Sequence, residues 1–276
     1  MGGSLDGKIA VVTGSSRGIG RGTAVALGEQ GATVYITGRS TGSGELTIDR
    51  TAALVDEAGG RGIAVQTDHG DDEQIAALFD RVRTDAGKLD ILVNNVYKIP
   101  DPPAWGGGFW DHPISIWDDQ VGIGLRAHYV ASWHAAPLLF EAGPGAFICN
   151  VSSPGGESYH FSSSYGAGKA GLDRLGADMA IELEPKGIAV VTLYPEPDGF
   201  DPDRDNLRDH LAFGKGIHFC LGAALSRLEG RVALEELSSR VESFSLPESN
   251  QFQYFPSFLL RGLTRLDIDV VPEGTR

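Results

Sequence analysis

The sequence predicts an α/β protein: a doubly wound parallel sheet of six strands in the order 3-2-1-4-5-6, with helices on both faces. Three observations carry that expectation. Short β-branched runs alternate with segments of helical period from the start to about residue 195, as repeated βαβ units require. Each run is nearly continuously apolar, as a strand covered on both faces must be. The first run passes directly into a glycine-rich turn that opens a helix.

In chain order, the strands are expected at residues 8–13, 33–37, 63–67, 89–94, 146–151 and 188–193. Helices fill the gaps at about 18–30, 47–58, 72–86, 116–141 and 163–184. Between them, residues 97–113, with Pro100, Pro102, Pro103 and the run Gly106, Gly107, Gly108, form a long irregular loop of the kind that borders binding sites. Past Pro195 the texture changes: residues 196–209 are crowded with Asp and Arg, and one amphipathic helix is expected over 221–241. Residues 255–271 read as one or two short strands broken at Gly262. The expected division is therefore 1–195 and 196–276.

Length and composition bound the function. With 276 residues, 41% of them hydrophobic, the chain can bury a full core unaided. A net charge of −14 and a pI near 4.8 argue against nucleic acid or an anionic membrane as the main partner. No apolar run reaches the length of roughly 18 residues that a membrane span needs. Two cysteines, Cys149 and Cys220, cannot make a disulfide framework, and Met1 to Asp6 carries no leader or acylation pattern. A cytoplasmic protein is expected.

The turn after the first strand reads Thr13, Gly14, Ser15, Ser16, Arg17, Gly18, Ile19, Gly20. Glycine lets the backbone turn tightly and approach a pyrophosphate, while the free N–H groups of the helix start supply positive charge. Gly14, Ser16, Arg17, Gly18, Ile19 and Gly20 are thus the expected phosphate cradle. After the second strand stands Arg39, where an NAD site would place an acid for the ribose 2′-hydroxyl. Arg39 and Arg17 are placed to clamp a 2′-phosphate, so NADP(H) is the expected cofactor. Asp68 can accept from the adenine amino group, an Asp in a turn being equally often structural. Asn95 and Val96, past the fourth strand, join the expected cofactor set, as do Tyr165 and Lys169 further along, with Lys169 on the ribose.

A second constellation follows the fifth strand: Ser152 and Ser153, then Tyr165 and Lys169 four apart on one helix face. A phenol with a free pKa near 10 is a poor proton shuttle at neutral pH, and an adjacent ammonium stabilises the phenolate. Ser153, Tyr165 and Lys169 are therefore the catalytic candidates.

Together these residues resemble the classical short-chain dehydrogenase/reductase family over about 5–195. The markers are the Thr13 to Gly20 turn, Asn94-Asn95, Ser153, Tyr165 and Lys169. Tyr35-Ile-Thr-Gly-Arg39, Val93-Asn-Asn-Val-Tyr97, Trp117-Asp-Asp119, Gly124-Leu-Arg-Ala-His-Tyr129 and Ser152-Ser-Pro-Gly155 resemble one subgroup of it. The resemblance implies a Rossmann fold and NADPH-linked reduction of ketones and aldehydes, with steroid-like or xenobiotic carbonyls as the substrate class. It also implies a homodimer paired through the two long helices. Two positions depart from the family pattern: its helix Asn is Gly124, and its Asn-Asn-Ala-Gly reads Asn94-Asn95-Val96-Tyr97.

The tail, about 195–271, resembles the C-terminal end of another family. Phe213-Gly-Lys-Gly-Ile-His-Phe-Cys220-Leu-Gly222 is similar to the haem-thiolate loop of cytochrome P450 enzymes, which implies Cys220 as an axial ligand of haem iron. The distal helix motif of that family is missing, and roughly 80 residues cannot wall both faces of a haem. The tail is therefore expected not to bind haem, and to replace the substrate lid that the reductase family carries after its sixth strand, as a fusion would.

Overall fold

The computed structural model describes residues 4–101, 107–195, Val241–Ser245 and Asp269–Pro272. The chain divides into two compact units, Met1–Phe200 and Asp201–Arg276. The first contains six strands: β1 Ile9–Val12, β2 Thr33–Gly38, β3 Arg61–Gln66, β4 Ile91–Asn94, β5 Phe147–Val151 and β6 Ala189–Leu193. They form one sheet in the order β3-β2-β1-β4-β5-β6, and every pairing is parallel.

Side chains alternate across a strand, so each apolar run feeds two cores. Val11, Tyr35, Leu92 and Ile148 point to one face, where Ile75, Leu78, Phe79 and Val82 meet Leu138 and Leu139. Ala10, Val12, Val34, Ile36, Ile91 and Val93 point to the other, against Ala24, Ile48 and Val55. The helices that supply these residues are α1 Gly18–Glu29, α2 Ile48–Glu57, α3 Asp72–Ala86, α4 Ser115–Trp117, α5 Ala127–Ala142 and α6 Ser163–Leu183. Spacing at 75, 78, 79 and 82 is the i, i+3, i+4, i+7 stripe that gives α3 its buried face. Capping fixes the helix starts: Thr47 accepts from Arg50 N, Asp71 from Glu73 N and Gln74 N, and Ser162 from Tyr165 N. Gly87, at φ 71, closes α3 in the left-handed region.

The structure corrects three expectations. The helix expected over 116–141 is not uniform: a π-helical segment, Asp118–Arg126, separates α4 from α5. Gly122 and Gly124 lie in that segment, where their backbone freedom lowers the preference for regular α-helix. The sixth strand is not covered on both faces, since Ala189, Val191 and Leu193 are exposed. In the second unit, Val241 opens a strand, β7 Val241–Ser245, where a helix end was expected. It pairs antiparallel with β8 Asp269–Pro272, which overlaps only the end of the expected 255–271 region. Residues 221–240, Cys220 and its loop, and Gly262 lie outside the described residues.

At the foot of the sheet Asp90 is 2% exposed and accepts from Ile9 N at 3.0 Å, Lys8 Nζ at 2.8 Å and Lys88 Nζ at 3.0 Å. Burial opposes its charge, but the bonds from Lys8, Ile9 N and Lys88 prevail and hold the carboxyl below its ordinary range. Asp90→Ala should cost about 2 kcal/mol at pH 7, the scale of lost charge-assisted hydrogen bonds. A urea midpoint measures it, and the cost should shrink as pH falls from about 4, the value of the unfolded chain's carboxyl, down through the lower pKa of the native one.

Candidate active site

The ends of β1, β2 and β4 hold the glycine turn in one shape. Thr13 Oγ1 accepts from Asn95 N at 2.9 Å and Val96 N at 3.0 Å, and donates to Val93 O. Ser15 Oγ donates to Val12 O at 2.8 Å and accepts from Thr37 N at 3.0 Å. Asn95 Nδ2 donates to Thr13 O at 2.8 Å and Gly14 O at 3.0 Å. The glycines are needed for contact reasons as well as conformation. Gly14 has φ 64, and a Cβ there would lie 2.7 Å from Val96 Cα; one at Gly20 would overlap Asn95 Nδ2. No side chain caps α1, so the N–H groups of its first turn take no bond from a capping side chain.

A cleft above the turn is lined by Gly14, Ser16, Arg17, Arg39, Asp68 and Val96 of the expected cofactor set. Gly18, Ile19, Gly20 and Asn95 are not among its lining residues: Asn95 braces the turn from beneath, and Ile19 is exposed. Arg39 is 65% exposed and its only ion pair among the described residues is a loose one, Nη1 to Asp68 Oδ2 at 3.9 Å. Asp68 spends its other oxygen on Gly70 N at 2.9 Å. The structural and the binding reading of Asp68 thus occupy different oxygens.

Beyond the cleft's inner end the three catalytic candidates converge. Ser153 Oγ and Tyr165 Oη are 2.7 Å apart. Ser153 sits in extended backbone just before a 3-10 turn, Pro154–Gly156, and accepts from Gly155 N, while a Cβ on Gly155 would overlap the Tyr165 ring. Lys169, one turn further along α6, is 7% exposed and donates to Val151 O at 3.1 Å. Its Nζ lies 5.9 Å from the Tyr165 ring centroid, and burial pushes its pKa down to about 8, opposed by Asp173. Asn94 anchors the strands behind them: its Nδ2 donates to Ser132 Oγ and Asn150 Oδ1, both at 2.9 Å.

Several residues beside these three carry no signal in their spacing. Tyr97, Gln120, His69 and His128 come to the site only through the fold. Gln120 Nε2 donates to Tyr97 Oη at 3.3 Å, and Phe161, at φ 60, stacks edge-on 5.2 Å from the Tyr165 ring. Among the described residues Phe161 is the one non-glycine at positive φ, a strained placement beside the Tyr165 ring. No group of described residues could hold a metal ion, and no described helix is long and apolar enough to cross a membrane.

Dehydrogenase/reductase SDR family member 1 of Mus musculus is 44% identical over 194 residues, covering 69% of this chain and 60% of the mouse protein. The human protein of the same name is 41% identical over 198 residues, covering 71% and 62%. The chain thus spans about three fifths of the length of these relatives. A metagenomic short-chain oxidoreductase, solved in complex with NADP, superposes with a TM-score of 0.62 at 33% identity, covering 70% of this chain and 84% of that one. The short chain dehydrogenase family profile matches residues 8–199 and ends before the tail, so none of these likenesses supports the haem-thiolate resemblance of residues 213–222. Because that profile takes in the whole sheet from β1 to β6, this chain belongs to the short chain dehydrogenase family.

Proposed function

We propose that the chain is an NADPH-dependent oxidoreductase that reduces a ketone or aldehyde with Ser153, Tyr165 and Lys169. The observation that carries this reading is the pair of hydroxyls 2.7 Å apart at Ser153 and Tyr165, with a buried lysine behind them. Two hydroxyls so placed can hold one carbonyl oxygen: Ser153 donates a hydrogen bond, and Tyr165 transfers its proton as the oxygen gains charge. The Lys169 ammonium stabilises the phenolate left behind. NADPH, when bound, supplies the hydride that reduces the carbonyl carbon, so the product is an alcohol and the cofactor leaves oxidised.

The cleft suits a dinucleotide phosphate. Gly14 leaves room where a side chain would stand, the N–H groups of α1 are uncapped, and Ser16 and Arg17 line the same space. Arg39, with no acid in its place, selects the 2′-phosphate, and Asp68 meets the adenine. Exposed Phe161, edge-on to Tyr165, favours a large apolar carbonyl of the steroid-like or xenobiotic kind. Tyr129, Trp133 and Phe140 on α5 and Ile181 on α6 leave apolar surface exposed, which supports pairing of two copies through these helices. We place the boundary of the reductase unit near residue 195. Haem has no part in this reading.

The test is calorimetric titration of the full chain with NADPH and NADH, followed by NADPH oxidation over a panel of carbonyls. NADPH is expected to bind at least tenfold more tightly. Arg39→Ala should weaken NADPH roughly 10- to 100-fold, the scale of a charged hydrogen bond, and leave NADH unchanged. Equal loss for both cofactors would remove the 2′-phosphate from the account.

A further inference from the structure

The two positions at which the sequence departs from its family's pattern meet in the structure. A Cβ built on Gly124, in the π-helical segment, would touch Tyr97 Cδ2 at 3.4 Å and Cε2 at 3.6 Å. A side chain longer than alanine finds no room on that side unless the ring gives way. The ring itself stands edge-on to Tyr165, with centroids 5.8 Å apart and planes at 88°. Its centroid is 5.4 Å from Lys169 Nζ, nearer than the 5.9 Å of the Tyr165 ring. At that range an aromatic face attracts an ammonium ion, and more strongly where both are desolvated.

The hydroxyl end is tied elsewhere. Tyr97 Oη accepts from Gln120 Nε2, and Gln120, 3% exposed, takes the hydroxyls of Ser162 and Ser164 on its Oε1. Ser162 is the cap of α6 and accepts from Tyr165 N at 3.2 Å. The Tyr97 ring is therefore fixed by the same helix start that presents Tyr165 and, one turn on, Lys169.

We propose that Tyr97 is a positioning residue, whose ring, in the space left by Gly124, holds the Lys169 ammonium beside Tyr165. It reaches the pair from the end of β4, edge-on to Tyr165 and with its face toward Lys169 Nζ. This rests on the assignment of Tyr165 and Lys169 as the catalytic pair. Lys169 is also faced by Asp173 of its own helix and by buried His128 of α5, and Tyr97 by Asp119 of the π-helical segment. None of these is altered by the substitutions below.

The experiment is an NMR titration of the Lys169 side chain, assigned through Lys169→Met, in the full-length apo-protein. The wild type is compared with Tyr97→Leu, Tyr97→Phe and Gly124→Asn. Leucine keeps the apolar filling and removes the aromatic face, so the Lys169 midpoint should fall by half a pH unit or more, roughly the value of such a contact. Gly124→Asn, which displaces the ring, should move it the same way. Tyr97→Phe keeps the face and should match the wild type. In the carbonyl reduction assay, the alkaline fall of kcat should shift with the midpoint while KM stays within about twofold.

An unchanged midpoint in folded Tyr97→Leu or Gly124→Asn overturns the proposal. So does a shift in Tyr97→Phe, which would make the hydroxyl the acting group. If the wild type reduces no carbonyl, the proposed function fails, and the titration still decides the role of Tyr97.

Discussion

Tyr165→Phe is expected to lower kcat for carbonyl reduction by roughly 10³-fold, within the range that a positioned proton donor contributes. NADPH affinity should stay within a few-fold. The phenyl ring keeps its edge contacts to Tyr97 and Phe161, at 5.8 and 5.2 Å, so the site's shape survives and only the hydrogen bond to Ser153 is lost. That bond is worth about 1 kcal/mol of stability, a small change in the melting midpoint. No neighbour can take over the proton. The Tyr97 hydroxyl is held by Gln120, and burial pushes its pKa up to about 12, so it parts with a proton less readily than a free phenol. Single-turnover hydride transfer with saturating NADPH isolates the chemical step. Activity within tenfold of wild type would remove Tyr165 from the mechanism.

The fold was legible because two independent periodicities agreed. Ile91, Leu92 and Val93 are apolar in succession and feed both faces, as a strand buried on both sides requires, and 75, 78, 79 and 82 mark a single helical stripe. The proximity of Tyr165 and Lys169 was legible because they share one helix, so their spacing survives folding. Residues that reach the site from separate elements left no such trace: Tyr97 follows β4, Gln120 lies in a π-helical segment, and only the parallel order of β4 and β5 brings them to α6. The π-helical segment itself was illegible, since its apolar spacing also fits an α-helix and only Gly122 and Gly124 hint at the difference. The strand at Val241–Ser245 was missed because its two apolar residues, Val241 and Phe244, stand three apart, a spacing that also continues an amphipathic helix.

Acid should unfold the apo-protein well above the carboxylate range, through two buried histidines. His69 is 4% exposed, shares a 2.8 Å hydrogen bond with Thr37 Oγ1, and has no described partner on Nδ1. His128 is 1% exposed, and its Nε2 donates to Val96 O at 2.8 Å, which leaves Nδ1 unprotonated and without a described partner. Protonating either ring puts an N–H and a charge where no acceptor stands. Burial therefore pushes His69 down to about 4 and His128 down to about 3, the latter aided by the Lys169 charge. The unfolded chain binds these protons near pH 6.5 and the native state does not, so stability rises with pH across that interval and is lost as pH falls. At pH 5 the loss is about 2 kcal/mol per histidine, about 4 kcal/mol together, while most carboxylates remain ionised. Urea unfolding at pH 7.5 and pH 5 should show that difference, with an uptake near two protons on unfolding at pH 5. His69→Asn, which removes one titrating ring beside Thr37, should roughly halve the difference. A stability that does not change between those pH values would mean that both rings already find a proton acceptor in the native protein.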